Sequence, residues 1–205
     1  MAARKRPKQP SGNPRERLIT AALNLASEQG WRRLGMAEIA AAAGLSLEET
    51  YAIARSKRGI VAAFRRQLDE AMLAGGMVSG DSPRDRLFDV LMRRLEAMRP
   101  YRAGLRVILR DSVGSAALLG ILPGLLRSMG WALTAAALPA AGCRGRIARK
   151  LLAALYVSVL PTFFRDDSRD LGTTMATLDR RLNQIEGVFS TLRPVVSAGR
   201  RRASA

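Results

Sequence analysis

The sequence predicts an all-α protein, and three observations lead to that prediction. Apolar side chains recur at helical spacing, as Leu18, Ala22 and Leu25 do on one face of the first segment. A helix-start signal, Asn13 followed by Pro14, directly precedes them. Apolar residues make up 48% of the chain, while glycine, proline and aromatic residues are scattered, which is typical of a globular, largely helical protein.

Composition divides the chain into four parts. Residues 1–13 form a Lys/Arg/Pro-rich arm that has little to bury, and we expect this arm to be disordered. Residues 14–74 form a first helical domain. The glycine-rich segment AGGMVSGDSP separates it from a second helical domain at residues 82–192. Residues 193–205 are expected to be a flexible tail.

The first domain begins with two predicted helices. The first starts after Asn13 and ends at Gly30, because glycine tolerates the left-handed backbone that often closes a helix. The second covers about residues 36–43. Gly44 then supplies the positive φ of a tight turn.

The third helix is predicted at about residues 47–54, with Ser46 as its cap. Ser46-x-x-Glu49 is a capping box, in which the glutamate folds back onto the first amide of its own helix. A fourth helix begins after Ser56. The second and third helices, with the glycine turn between them, form a helix-turn-helix whose second helix can enter the major groove of DNA.

The second domain is also predicted to be helical throughout. Its first helix starts at Ser82 and Pro83 and is ended by Pro100. Pro123 and Pro161 are expected to break or kink two of the helices that follow. Those further helices are predicted near residues 101–111, 115–137 and 145–164.

The last helix carries an apolar seam whose members alternate spacings of four and three residues. The members are Leu171, Met175, Leu178, Leu182, Ile185, Phe189 and Leu192. The seam packs either within the chain's own bundle or against its twin in a homodimer, and both alternatives stay open. The residues predicted for the dimer interface are Met175, Leu178, Leu182, Ile185 and Phe189.

Several classes of function are disfavoured by composition. Histidine is absent and Cys143 is the single cysteine, which removes the usual general base, the usual nucleophile pairs and a zinc ligand set. No glycine-rich phosphate loop is found, and the apolar runs are too short or too interrupted for a spanning helix. We therefore predict no catalytic residue, no metal and no cofactor. We also expect a cytoplasmic protein without stable membrane insertion.

The net charge of +17 lies mostly outside the first domain. Residues 1–17 hold six basic residues and one acidic residue, residues 18–74 hold seven and six, and residues 75–205 hold twenty-one and ten. Overall basicity is therefore no proof of DNA binding. The arm is placed where its cations can lie along a DNA backbone or enter the minor groove, although a solubilising role explains it too.

The order of motifs in the first domain resembles the TetR family of bacterial regulators. The resemblance covers about residues 14–72 and rests on the opening helix, the G-W turn, I-A-x-x-A-G-L-S, Tyr51, S-K and an apolar fourth helix. It implies an all-helical homodimer with one helix-turn-helix in each subunit, bound to a palindromic operator and usually repressing transcription. It also implies a small apolar effector held in the second domain.

The predicted DNA contacts lie in the arm, in the third helix and just beyond it. They are Arg4, Lys5, Arg6, Ser46, Leu47, Glu48, Thr50, Tyr51, Arg55 and Lys57. Of these, Ser46, Tyr51 and Lys57 are expected to be free to reach the DNA backbone, whereas Thr50 is also expected among the internal contacts.

The sequence departs from the family's pattern at the reading helix. Gly35 stands where the family usually has serine or threonine, and Ala54 where it has an aromatic residue. Glu48 and Glu49 replace part of a lysine–glycine–threonine run. Glu49 has a structural explanation in the capping box, whereas Glu48 either accepts from a cytosine amino group or repels phosphate. We interpret the segment as an atypical DNA reader.

The second half points to an alternative. Its D-S-x-D-x-x-x-T-M-x-x-L-D-R-R-L stretch is similar to the lipid-binding family that assists ubiquinone biosynthesis, which shares the TetR fold. That resemblance implies an isoprenoid-like lipid ligand and a helix-turn-helix that does not act on DNA.

In either interpretation the second domain needs an apolar pocket. The predicted lining is Met98, Tyr101, Leu126, Arg127, Met129, Trp131, Tyr156 and Phe163. Such methionine and aromatic residues are also typical of an ordinary core. Arg127 either meets the polar head of a ligand or snorkels to the surface. The preferred interpretation is a TetR-type regulator, and the alternative is a lipid-binding accessory protein of quinone metabolism.

Overall fold

The computed structural model describes residues 12–76, 82–113 and 116–192, and within these ranges all regular structure is helical. The predicted all-α class is thus confirmed. The predicted arm, with Arg4, Lys5 and Arg6, and the predicted tail at 193–205 lie outside the described residues. The helices are α1 (Pro14–Gln29), α2 (Met36–Ala43), α3 (Leu47–Ile53), α4 (Lys57–Leu73), α5 (Pro83–Met98), α6 (Arg102–Ser112), α7 (Ala116–Ala135), α8 (Gly142–Phe163) and α9 (Gly172–Leu192).

Local sequence signals fix the helix ends in the first domain. The Asn13 side chain accepts a hydrogen bond from the Arg15 amide (3.1 Å) at the start of α1, and Gly30 closes that helix with φ 84°. Ser56 caps α4 by accepting from the Gly59 amide (3.2 Å). These ends match the predicted ones because capping depends on residues only two or three positions away.

The helix α6 packs closely along α1 and joins the two halves of the chain. At Gly104 the backbones approach so closely that a Cβ atom there would lie 2.0 Å from the carbonyl oxygen of Leu23. At the end of α6, the Asp111 carboxylate accepts from the Trp31 amide (3.0 Å) and the Asp111 carbonyl accepts from Arg32 Nε (3.0 Å). Both contacts fix the turn after α1 to the second domain.

A buried ion pair joins α4 to the second domain. Asp69 is 7% exposed, and its carboxylate accepts from Arg94 of α5, from Arg65 (2.9 Å) and from the Ser128 hydroxyl of α7 (3.0 Å). The Arg94 guanidinium also lies over the Tyr156 ring of α8, with 5.7 Å from its Cζ to the ring centroid. Helices α4, α5 and α7 therefore meet at one carboxylate, and α8 packs against its Arg94 partner.

The turn between α8 and α9 is organised by Asp166. Its carboxylate, in a side chain that is 4% exposed, accepts from the amide and hydroxyl of Ser168 and from those of Thr174. Burial alone would raise the pKa of Asp166, but these hydroxyl and amide donors outweigh it and lower the pKa to about 2. The Ser and Thr of the quoted D-S-x-D-x-x-x-T motif thus have a structural role.

Pro123 and Pro161 do not break their helices, which corrects that part of the prediction. Pro123 lies inside α7 and Pro161 inside α8. Both prolines are exposed, so water can satisfy the carbonyl that loses its donor. Pro161 also lies only two residues before the end of α8 at Phe163, where little helix remains to be disturbed.

The seam of α9 packs mostly inside its own chain. Leu178 and Leu182 are 0% and 1% exposed, because α9 lays this face against α5 and α8. Their predicted place in a dimer interface is corrected accordingly. Met175 and Ile185 are half-buried, and the side chain of Phe189 lies outside the described part of the structure.

Replacing Gly104 with alanine is expected to destabilise the fold by about 3 kcal/mol, because the new methyl group would meet backbone atoms that cannot rotate away. Urea unfolding measures the change. The matched control is Gly120→Ala in α7, where a Cβ would meet no atom within 4 Å, and it should be neutral or slightly stabilising. Equal effects of both substitutions would contradict the close packing of α1 and α6.

Asp166→Asn is expected to lower the free energy of unfolding by about 2 kcal/mol at pH 7, because the carboxylate is the better acceptor for four donors. The folded pKa is below the unfolded one, so this stabilisation is complete above about pH 4 and disappears as the pH falls through about 2. Unfolding of both proteins should be followed across this range. Asp167→Asn is the control, since Asp167 forms only an exposed pair with Arg102 (2.8 Å).

Candidate nucleic-acid interface

The turn between α2 and α3 holds the reading helix at a fixed angle. Ile39, Ala40 and Ala43 of α2 are buried against α1, and Leu45 is buried just after the turn. Gly44 has φ 64° and ψ 35°, and its amide donates to the Ala41 carbonyl (3.0 Å). The predicted internal contacts and left-handed turn of a helix-turn-helix are confirmed.

Capping explains one of the two glutamates at the start of α3. The Glu49 carboxylate accepts from the Ser46 amide (2.7 Å), and the Ser46 hydroxyl accepts from the Glu49 amide (3.0 Å). Glu38 makes the same return contact to the Gly35 amide (2.9 Å), so α2 keeps half of a capping box although Gly35 has no side chain. The side chains of Ser46 and Glu49 thus cap the start of α3.

The outward face of α3 carries the residues that remain available. Leu47 and Tyr51, one turn apart, are 63% and 59% exposed, and Glu48 is exposed beside them. Arg55, just after the helix, places its guanidinium over the Tyr51 ring, with 5.2 Å from Cζ to the ring centroid. The face combines an apolar side chain, an aromatic one, a cation and a carboxylate.

Two predicted DNA contacts are placed elsewhere by the structure. Thr50 is 2% exposed and belongs to the core of the first domain, which is called the head below. The Lys57 ammonium is not free: it donates to the carbonyls of Trp31 (2.8 Å) and Arg32 (3.2 Å). These hydrogen bonds of Lys57 hold the start of α4 against the turn after α1.

The contacts of Lys57 with the turn bring further cations together on the surface of the first domain. Arg33 lies in the turn after α1, Arg58 lies in the first turn of α4, and both are exposed. The sequence places them 25 residues apart, so no local spacing shows that they share one region. The contacts of Lys57 with the turn are what reveal it.

The structure divides the predicted pocket residues between the core and the surface. Met98, Met129, Tyr156 and Phe163 are buried in the core, Tyr101 and Leu126 are half-buried, and Arg127 and Trp131 are exposed. The buried members fill space for each other, as where the Tyr156 hydroxyl contacts Met98 Sδ at 2.8 Å. For the buried residues, the structure supports the alternative of an ordinary core. For Arg127, it supports the alternative of a side chain that reaches the surface.

A groove does open between α5 and α9. Its volume is 230 Å³, and its lining combines apolar side chains with charged ones: Phe88, Asp89, Met92, Arg93, Glu96 and Met175. The buried Nη1 of Arg93 finds no hydrogen-bond partner among the described residues. None of these residues belongs to the predicted lining, because the antiparallel approach of α5 and α9 is not visible in local spacing.

No helix in the described ranges is long and apolar enough to cross a membrane.

Comparisons with known proteins agree with this architecture. Solved structures of TetR transcriptional regulators from Nitrosomonas europaea ATCC 19718 and Rhodococcus sp. RHA1 share the fold, with TM-scores of 0.68 and 0.60. They are 22% and 23% identical to the chain; each covers 84% of it, over 98% and 95% of their own lengths. A search of curated proteins found no match.

A family model is more specific than the shared fold. Residues 18–64 match the model of bacterial regulatory proteins of the tetR family, which spans α1 to the Phe64 of α4 and so contains the whole helix-turn-helix. This match supports a regulator rather than an enzyme. The chain thus carries a region of the tetR family of bacterial regulatory proteins at residues 18–64, within the fold of TetR transcriptional regulators.

Proposed function

We propose that this regulator is a repressor that reads a palindromic operator with α3 and is released by a small apolar ligand. The observation that carries the proposal is the outward presentation of Leu47 and Tyr51 from a short helix that is capped at its start and braced by α2. A helix mounted in this way fits the width of the major groove.

Glu48 makes the exposed start of α3 acidic. Glu49 is held by its capping box, so Glu48 is the carboxylate that faces incoming DNA. Placed near phosphate it weakens contact with every sequence alike, although the amides at the start of α3 still favour an anion. We propose that Glu48 lowers overall affinity and leaves discrimination to Leu47 and Tyr51.

The proposed repressor is a homodimer. A helix of seven residues reaches one half-site only, and a palindrome needs a second head about 34 Å away. Ala154 and Val157, the latter 49% exposed, form an apolar strip along the second half of α8. This strip is available to a second copy, whereas the buried Leu178 and Leu182 of α9 are not.

The proposed effector enters the groove between α5 and α9. Phe88, Met92 and Met175 give it an apolar floor, and Arg93 supplies a cation to its lining. The groove is smaller than the roughly 300 Å³ of typical ligand pockets, so binding requires the two helices to separate slightly. Such a movement would strain α5, which carries the Arg94 partner of Asp69.

The second candidate is the lipid-binding accessory protein, which is favoured by the acidic edge of α3 and the nearly neutral head. Its main sequence support, the D-S-x-D-x-x-x-T stretch, is weakened by the structural role of Ser168 and Thr174 around Asp166. The two candidates differ in one measurable property, which is sequence-specific binding to DNA.

Selection of genomic DNA fragments by the purified protein, at several salt concentrations, is expected to enrich one palindrome. Tyr51→Ala should then weaken operator binding by about 1–2 kcal/mol, because an exposed reading residue is lost while the core is untouched. Enrichment of no palindrome, with only weak salt-sensitive binding, would contradict the repressor and leave the lipid carrier.

Glu48→Gln is expected to raise affinity about two- to fivefold for operator and random DNA alike, because it removes repulsion without adding a base contact. Binding isotherms on both DNAs measure the change. Asp167→Asn, in the turn between α8 and α9, is the matched control, since it removes the same charge from an exposed site outside the groove. A change confined to one base pair would show instead that Glu48 reads a base directly.

A further inference from the structure

Leu47, the first residue of α3, is an apolar side chain that the fold does not use. It is 63% exposed, and it belongs neither to the core of the described residues nor to the side chains packed against that core. Its neighbours do have structural roles, since Leu45 and Thr50 are buried and the Ser46 side chain caps the helix. Folding therefore explains the residues around Leu47 but not the choice of a leucine at this position.

Large apolar side chains on the surface of the first domain are confined to α3. Among residues 14–74 the exposed ones are Leu47 and Tyr51, which lie one turn apart on the same face of the helix. A single exposed leucine is ordinary, but two such side chains on a helix of seven residues form a surface suited to an apolar contact.

The two side chains differ in what their ends can contact. Tyr51 ends in a hydroxyl group, which can donate or accept a hydrogen bond. The Arg55 guanidinium also lies over the Tyr51 ring, with 5.2 Å from Cζ to the ring centroid, so a cation covers one face of that ring. Leu47 ends in methyl groups and has no donor or acceptor. Leu47 is therefore the member of the pair that suits a purely apolar group.

The major groove of DNA presents one kind of apolar group. Guanine, cytosine and adenine show only hydrogen-bond donors and acceptors there, whereas thymine adds its 5-methyl group. A leucine placed against any other base edge covers polar atoms without bonding to them, which weakens binding. The first residues of a recognition helix are the ones that reach base edges, and Leu47 has that place in α3.

We propose that Leu47 selects a thymine in each half-site of the operator by packing against its 5-methyl group. The inference rests on the proposed function, in which α3 enters the major groove, and it adds the base that one residue of α3 selects. The methyl group is recognised rather than a pattern of hydrogen bonds. A cytosine that carries a 5-methyl group presents the same apolar surface at the same place.

Deoxyuridine substitution in the selected palindrome tests the proposal, because it removes the methyl group and leaves every hydrogen-bonding group of thymine. Each thymine is replaced in turn, at both symmetry-related positions. One position is expected to weaken binding about 15-fold, since one buried methyl contributes about fourfold in each half-site. At that position 5-methylcytosine should be bound about 15-fold more tightly than cytosine, for the same reason.

The variant Leu47→Ala identifies the residue that senses the methyl group. The ratio of affinities for thymine and deoxyuridine at the sensitive position should fall from about 15 to below about 2, because the two changes remove the same contact. Leu122→Ala of α7 is the matched control, since Leu122 is also exposed (51%) and lies outside α3, and it should leave the ratio unchanged. Urea unfolding checks that both variants keep the fold.

Several outcomes would overturn the proposal while the repressor proposal stands. One is a palindrome that is bound specifically but contains no thymine at which deoxyuridine weakens binding. Another is sensitivity that persists in Leu47→Ala, because the methyl group then acts through another residue or through the shape of the duplex. A third is a variant with unchanged operator affinity and a smaller oligomer, which would make Leu47 a contact between copies. Enrichment of no palindrome at all would instead overturn the proposed function, and this inference with it.

Discussion

The buried carboxylate of Asp69 is the constraint on which the joining of the two domains depends. It accepts from Arg94 of α5 and Ser128 of α7 while it belongs to α4, the helix that follows the reading helix. Leaving one partner of a buried pair alone costs about 3–5 kcal/mol, so α4 cannot leave α5 and α7 cheaply. The orientation of α3 is therefore set by the interior of the second domain as well as by its own head.

A second joint makes that dependence stricter. In the turn after α1, the Trp31 amide donates to Asp111 of α6, and the Trp31 carbonyl accepts from Lys57 of α4. Any movement of α6 must either carry this turn, and the start of α4 with it, or break both hydrogen bonds. Because α6 is also in backbone contact with α1 at Gly104, sliding is blocked and a joint movement is the easier path.

Local chemistry explains which features could be predicted from sequence. The caps at Asn13, Ser46 and Ser56 and the turn at Gly44 depend on neighbours within a few residues, and each was predictable. Asp69 pairs with Arg94, 25 positions away, and accepts from Ser128, 59 positions away, and nothing in local spacing indicates either contact. The same limit applies to the groove, and to Lys57, whose carbonyl partners lie 25 and 26 positions back in the sequence.

The acidic edge of α3 follows from the shortness of that helix. A helix of seven residues is marginal by itself, so it needs the reciprocal bonds of Ser46 and Glu49 at its start. Those bonds place a carboxylate where phosphate contact would otherwise be strongest. In the proposed function, attraction for the DNA backbone would come from cations around the helix, such as Arg33 and Arg58, while Leu47 and Tyr51 would meet the bases. Affinity and discrimination would then be carried by different residues, and a nearly neutral first domain would be compatible with a DNA reader.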